Sequence, residues 1–260
     1  VANNLRLPAL FIGHGSPMNA LEDNDWTRAL LGLGKRLPKP AAILCISAHW
    51  LTEGTFITSS PQPRMIYDMA GFPPELYEVQ YPAPGAPILA KKICGQFPFI
   101  QLDSKSPWGL DHGSWSILKF LFPAADVPVL QLSIDFTRNA SYHYQLGKQL
   151  SLLREQGVML IGSGNIVHNL RAISMNADEA PFAWAQSFDQ WFAQHLAEDQ
   201  MDPLLHEYNR SEQGRLSVPT PDHYYPALFI AGARKPADQL DIVYEAIQHG
   251  SLAMRSFMFH

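Results

Sequence analysis

An α/β fold with parallel strands in one sheet is predicted by three features of this 260-residue chain. Short apolar runs bounded by glycine and proline recur at 7–17, 41–50, 127–134 and 158–162, and runs of that length read as buried strands. Stretches with apolar residues at helical spacing separate them, and a strand, helix, strand crossover makes its two strands parallel. Histidines stand where these runs stop, at the edge on which open α/β sheets bind ligands.

The first run ends abruptly at His14 between Gly13 and Gly15, a strand feeding a tight loop. Residues 18–37 follow, with Trp26, Leu30, Leu31, Leu33 and Leu37 spaced for one helical face. The second run carries His49 near its end, and 54–60 is a further strand. A long segment rich in proline and aromatics begins at Pro61; a loop of that length inside a compact domain is usually functional. Its Tyr67, Phe72, Tyr77 and Tyr81 suit either a wall for a flat ligand or a lid over core. Residues 86–97 are helical in pattern and 99–102 form a short strand. His112 then lies just ahead of a helix that Gly113 and Ser114 open, with Ser114 as N-cap, running through Phe122. The third run leads into Asp135, and 139–156 is an amphipathic helix. The fourth passes through Ser163, Gly164 and Asn165 to His168 at a helical turn. Helices at 179–200 and 202–210 precede His223, which sits among prolines and tyrosines, and 252–259 closes the chain as a strand.

The length suits one large domain spanning 1–260. A net charge of −5 gives no electrostatic reason to expect nucleic acid, and no apolar run approaches a membrane span. Cys45 and Cys94 read as buried thiols, not a disulfide framework, which suits a cytoplasmic protein. The chain opens on Val1 without methionine, which leaves room for an upstream segment.

Ten histidines invite over-reading. His143, His195, His206, His249 and His260 stand in helical or terminal contexts among polar neighbours and read as surface residues. His14, His49, His112, His168 and His223 differ, because all five follow apolar runs or sit in loops punctuated by glycine and proline. Singly, each is a hydrogen-bonded structural residue as readily as a ligand; together they converge on one rim, where imidazoles can share a metal. Competing chemistries lack their motifs: position 210 is Arg and breaks HExxH after His206, no GxSxG elbow exists, and Gly162 with Gly164 falls short of a dinucleotide fingerprint. Asp111, Asp135 and Asp222 suit acceptors that orient imidazoles.

The segments PALFIGHGSPMNALEDN, ISAHW, YDMAGFPPELYEVQYPAPG, WGLDHGSW, GSGNIVHNL and TPDHYYP, in this order along nearly the whole chain, resemble the class III extradiol ring-cleavage dioxygenases of the LigB superfamily, and within it the bacterial 4,5-DOPA extradiol branch. The resemblance implies a single-domain three-layer α/β/α sandwich with a mixed, largely parallel central sheet and one mononuclear metal. It implies a catechol substrate opened by O₂ beside its two hydroxyls, giving a muconic semialdehyde. Carried over, His14 and His49 are metal imidazoles, His168 is the base and a possible fourth ligand, and His112 is the substrate-side histidine. Better-known members use a late glutamate as third ligand; here the residue on offer is His223, preceded by Asp222. That exchange removes a negative charge and favours nitrogen-loving ions, so Zn²⁺ is expected in purified protein and Fe²⁺ for turnover. An amino-acid side arm on the catechol needs a polar clamp, for which Arg64, Asp68 and Glu75 are candidates. A monomer or small homo-oligomer is expected. Two rival readings use the same rim: a zinc hydrolase of amides or esters, and a metal- or aromatic-ligand-binding protein without turnover.

Overall fold

The computed structural model describes residues 6–104 and 107–260, so Val1 lies outside it. Its ten strands are β1 (Ala9–Gly13), β2 (Ala42–Thr52), β3 (Thr55–Thr58), β4 (Ile100–Asp103), β5 (Val129–Asp135), β6 (Val158–Gly164), β7 (Leu240–Tyr244), β8 (Ile247–Gln248), β9 (Leu252–Ala253) and β10 (Ser256–Phe259). Eight of them form one sheet in the order β4-β3-β5-β2-β6-β1-β10-β7, and β8 pairs with β9 separately. The central four, β5-β2-β6-β1, run parallel, as the crossovers require. β10 is antiparallel to both β1 and β7, and β3 is antiparallel to β5, which makes the sheet mixed.

Side chains alternate along a strand, so each central strand feeds two cores. Phe11, Leu44, Ile46, Leu132 and Leu160 face one side, where they join residues of α2 (Pro87–Gln96), α4 (Ala140–Leu150), α5 (Ala183–Ala197) and α8 (Tyr225–Gly232). Leu10, Ile12, Ile43, Cys45 and Ile161 face the other, against α1 (Asp25–Gly34) and α3 (His112–Leu121). Helices on both faces of one sheet make a three-layer α/β/α sandwich. α8 is buried along its whole length, which is why its sequence, YPALFIAG, carries no polar stripe.

Several local expectations shift. The helix expected to have Ser114 as its N-cap begins three residues earlier: Asp111 is the N-cap, accepting from the Ser114 backbone N–H at 3.1 Å, so His112 is the first helical residue. Both residues are good caps, but Asp111 also accepts from Ser47 and Gln131, which fixes it in place. The helix expected over 139–156 ends at Leu150 and continues as a 3₁₀ turn, Ser151–Gln156, stopped by Gly157 at φ 81°. The closing strand is divided into β9 and β10, because Arg255 between them turns to pair with Asp189 at 2.7 Å. Two short helices, α6 (Met201–His206) and α7 (Glu212–Ser217), follow α5, and α7 and β7 had no continuous apolar run to mark them.

His143 is a clear departure, because it is fully buried, not on the surface. α4 turns it onto Tyr225, with ring centroids 4.2 Å apart and planes at 18°. Its Nδ1 pairs with the Asn139 carbonyl at 3.0 Å and its Nε2 has no partner. Burial lowers its pKa to about 4, against some opposing help from Asp135. The unfolded imidazole therefore takes a proton near pH 6.5 that the folded one refuses until about pH 4. Stability is lost as pH falls through that window, on the order of 3 kcal/mol for this group. His143→Phe keeps the stack and removes the titration, so urea midpoints of the variant should fall less steeply between pH 6.5 and 4 than those of the parent; parallel curves would refute the assignment.

Candidate metal centre

Sheet topology delivers the histidines to one place. His14 follows the last residue of β1, and Gly15 takes φ 61° to turn the chain away at once, a conformation costly for any side chain. β2 pairs with β6 only as far as Ser47 and resumes pairing with β5 at Leu51. His49 lies in that irregular stretch, and such interruptions re-aim side chains next to sites. His112 opens α3. His168 follows β6, held by its backbone N–H to the Ser217 carbonyl at 2.9 Å. His223 lies just before α8, and the Asn165 N–H holds its carbonyl at 2.9 Å. Gly164 makes that approach possible, since a methyl there would stand 2.2 Å from the His223 oxygen.

All five imidazoles line one cavity of about 520 Å³. Nε2 of His14 and Nε2 of His49 are 3.2 Å apart. The His223 ring lies 5.3 Å from His14 and 5.0 Å from His49, and His168 stacks on His223 with centroids 3.5 Å apart. His112 lies 3.9 Å from His49, and the ligand atoms of His14, His49 and His112 fall within 4.8 Å of one another.

Second partners decide which nitrogen of each ring is free. Ser163 donates its hydroxyl proton to the Gly113 carbonyl, so it can only accept from His14 Nδ1, at 2.9 Å. His223 Nδ1 pairs with Asp222. His49 and His112 both turn Nδ1 toward Asp68, at 3.2 and 3.0 Å. In each ring Nε2 is left over, and in His223 it is buried without any hydrogen-bond partner. Imidazoles held by Nδ1–H to an acceptor, with Nε2 lone pairs gathered inward, form the donor set of a divalent metal.

Electrostatics agree with that form. Burial first, then the neighbouring imidazoles, lowers the pKa of His14 and His223 well below the ordinary value, and burial takes His49 and His168 down to about 4. Neutral imidazole is the state that binds a cation. Asp68, although burial pushes it up, is held at about 2 chiefly by its hydrogen bond from His112.

Of the acids expected to orient imidazoles, only Asp222 does so. Asp111 instead caps α3 and Asp135 accepts from Thr137. Asp68, expected as a clamp for a ligand side arm, is bound to two of the histidines. Its only signal in the sequence was its place in the long loop. Ser163 as the acceptor for His14 carried none. The aromatic wall also narrows: of the four loop aromatics only Phe72 lines the cavity, joined by Met69, Leu170, Ile173 and Leu252. Tyr67 instead donates to the Val79 carbonyl at 2.7 Å, and Tyr81 is core, donating to the Phe122 carbonyl at 3.1 Å.

Fold and site together define a class: an α/β protein with an imidazole cage, suited to one divalent ion, at the carboxyl edge of its parallel strands. The chain belongs to the LigB family, whose model, the catalytic LigB subunit of aromatic ring-opening dioxygenase, matches residues 9–249; it is an extradiol dioxygenase. It is 45% identical over 260 residues to the 4,5-DOPA dioxygenase extradiol of Escherichia coli K12, covering 98% of this chain and 96% of that one. The 4,5-DOPA dioxygenase extradiol of Portulaca grandiflora is 33% identical, over 96% of this chain and 95% of its own. A crystal structure of the uncharacterized protein JW3007 from Escherichia coli K12 superposes with a TM-score of 0.86 at 42% identity, over 98% of this chain and 100% of that one. Among the described residues no helix is long and apolar enough to cross a membrane.

Proposed function

We propose that the protein opens a catechol ring beside its two hydroxyls with O₂, yielding a muconic semialdehyde, with L-DOPA or a related catechol as substrate. In this reading residues 1–260 act as one catalytic unit. His14, His49 and His223 hold one divalent ion; His168, its ring stacked on that of His223, is the base, and is a fourth ligand instead only if its removal releases the ion. The observation that carries the reading is the facing Nε2 pair of His14 and His49 beside the partnerless Nε2 of His223.

Bound Fe²⁺ would make the catechol hydroxyls more acidic and open a route for electrons from ring to O₂. His168, neutral because burial keeps its pKa near 4, accepts a hydroxyl proton, and the Asp222 carboxylate offsets the charge it gains. His112, whose Nδ1–H is held by Asp68, takes the other hydroxyl proton on Nε2 and, so protonated, stabilises charge developing on oxygen as the ring opens and returns the proton there. Phe72, Leu170 and Leu252 wall the ring against water. An all-imidazole ligand set brings no negative charge, so Zn²⁺ is expected in the purified protein.

Anaerobic loading with Fe²⁺, addition of L-DOPA and then admission of air is the decisive experiment. Stoichiometric O₂ uptake with a yellow semialdehyde is the expected result, and protein loaded with Zn²⁺ should bind L-DOPA without consuming O₂. Product formed without O₂ would indicate hydrolysis by a metal-bound water, and binding without product would indicate a carrier.

A further inference from the structure

We propose that Asp68 is a positioning residue shared by two imidazoles with different tasks, fixing His49 for the ion and His112 for the ligand while tying both to the loop that walls the cavity. The inference rests on the metal-site reading above and adds to it a residue outside the ion's own ligands.

Two hydrogen bonds and one close charged contact carry it. Asp68 Oδ1 accepts from the His112 backbone N–H at 2.9 Å and from His112 Nδ1 at 3.0 Å, and Oδ2 meets His49 Nδ1 at 3.2 Å. The two rings come from different elements, one from the irregular stretch of β2 and one from the first turn of α3. The two elements are far apart in the chain, and the carboxylate is a side chain that touches both rings. An anionic carboxylate only accepts, so His112 must carry a proton on Nδ1, and the same charge 3.2 Å from His49 Nδ1 favours the proton there, which turns the Nε2 lone pair of His49 to the ion. Asp68 is also largely shielded, at 17% side-chain exposure, so these contacts are weakly screened.

The same residue belongs to the ligand wall. Met69, Ala70 and Phe72 follow it directly in the chain and line the cavity with the histidines. Through Asp68, then, the seating of the loop and the geometry of the cage are one arrangement. Asp111 and Asp222 do not share this role: the first caps α3 and the second pairs with His223.

Asp68→Asn tests this, because the amide keeps the shape but must turn an N–H toward one of the rings. Apo-protein titrated with Co²⁺ reports affinity and, through its visible absorption, ligand geometry, neither of which depends on oxygenase activity. The expected result is Co²⁺ binding weakened by roughly 10- to 100-fold with an altered spectrum, a melting temperature close to the parent's, and partial recovery in Asp68→Glu. Anaerobic titration of the Zn²⁺-loaded forms with 4-nitrocatechol separates action through His112 from direct contact. Asp68→Asn should weaken that ligand, yet add no further loss in a His112→Phe background. Parental Co²⁺ affinity in Asp68→Asn, or a loss that persists in the His112→Phe background, overturns the inference. If the parent protein itself takes up no Co²⁺, the metal-site reading falls and this one with it. Should Asp68→Asn not fold, ¹⁵N spectra of the Zn²⁺-loaded parent decide: His49 and His112 are expected as Nδ1–H tautomers, and Nε2–H in either ring refutes the role.

Discussion

His14→Ala protein is expected to leave purification without a stoichiometric divalent ion and to show no catechol turnover on Fe²⁺ loading. His14 Nε2 stands 3.2 Å from His49 Nε2, so two rings share one point in space, and a methyl group offers nothing to fill it. Structural zinc sites with four ligands bind with roughly 10–16 kcal/mol, so one ligand is worth about 3 to 4, or several hundredfold in affinity. The same result is expected for His49→Ala. His168→Ala is the contrast, expected to retain the ion while losing roughly 10²- to 10⁴-fold in turnover, the usual worth of a general base. Elemental analysis alongside O₂ uptake reads both properties at once. Equal metal loss in all three variants would make His168 a fourth ligand instead of the base.

Arg154→Ala is expected to destabilise the fold by roughly 3–5 kcal/mol, far more than an ordinary surface change. Arg154 is fully buried on the 3₁₀ turn after α4. Its Nε donates to the Leu7 carbonyl at 2.7 Å, and its two terminal nitrogens reach the Ala233 carbonyl at 2.7 Å, Asp238 at 2.6 Å and the Phe259 carbonyl at 3.1 Å. Those partners belong to the entry of β1, the end of α8, the turn before β7 and the end of β10, so one side chain ties four segments together. Removal strands three carbonyls and leaves the buried Asp238 with Arg6 as its remaining cationic partner. The urea midpoint should fall at unchanged slope. Arg154→Lys should recover little, because one ammonium cannot replace a planar fork with several directed donors. A midpoint within experimental error of the parent would refute this account.

Much of the framework was legible because its signals are local. Apolar runs as short as ALFIG and VMLIG, cut off by glycine, are marks of central strands, and β1 and β6 lie where those runs are. The helical spacing of Trp26, Leu30 and Leu33 found α1, whose buried residues are those three with Thr27. Elements without such contrast were harder to see. β7 is half-exposed at the edge of the sheet, and α7 is a short polar helix, so neither needs an apolar run to be stable in place. His143 read as a surface residue because its neighbours in the chain are polar; what buries it is Tyr225, eighty-two positions away in the sequence.

The amino-acid sequence alone determined the succession of strands and helices, the parallel centre of the sheet and the five histidines at its rim, since each follows from residue type and spacing over a few positions. It also carried enough ordered motif to indicate the LigB family. Tertiary structure alone decided the partners: that Asp68 serves two rings, that Ser163 sets the free nitrogen of His14, and that Asp111 caps a helix instead of orienting an imidazole. The physical reason is range. A strand or helix is written in neighbours along the chain, whereas a proton's acceptor is whichever atom the folded chain brings within three ångströms, and no local pattern records that distance.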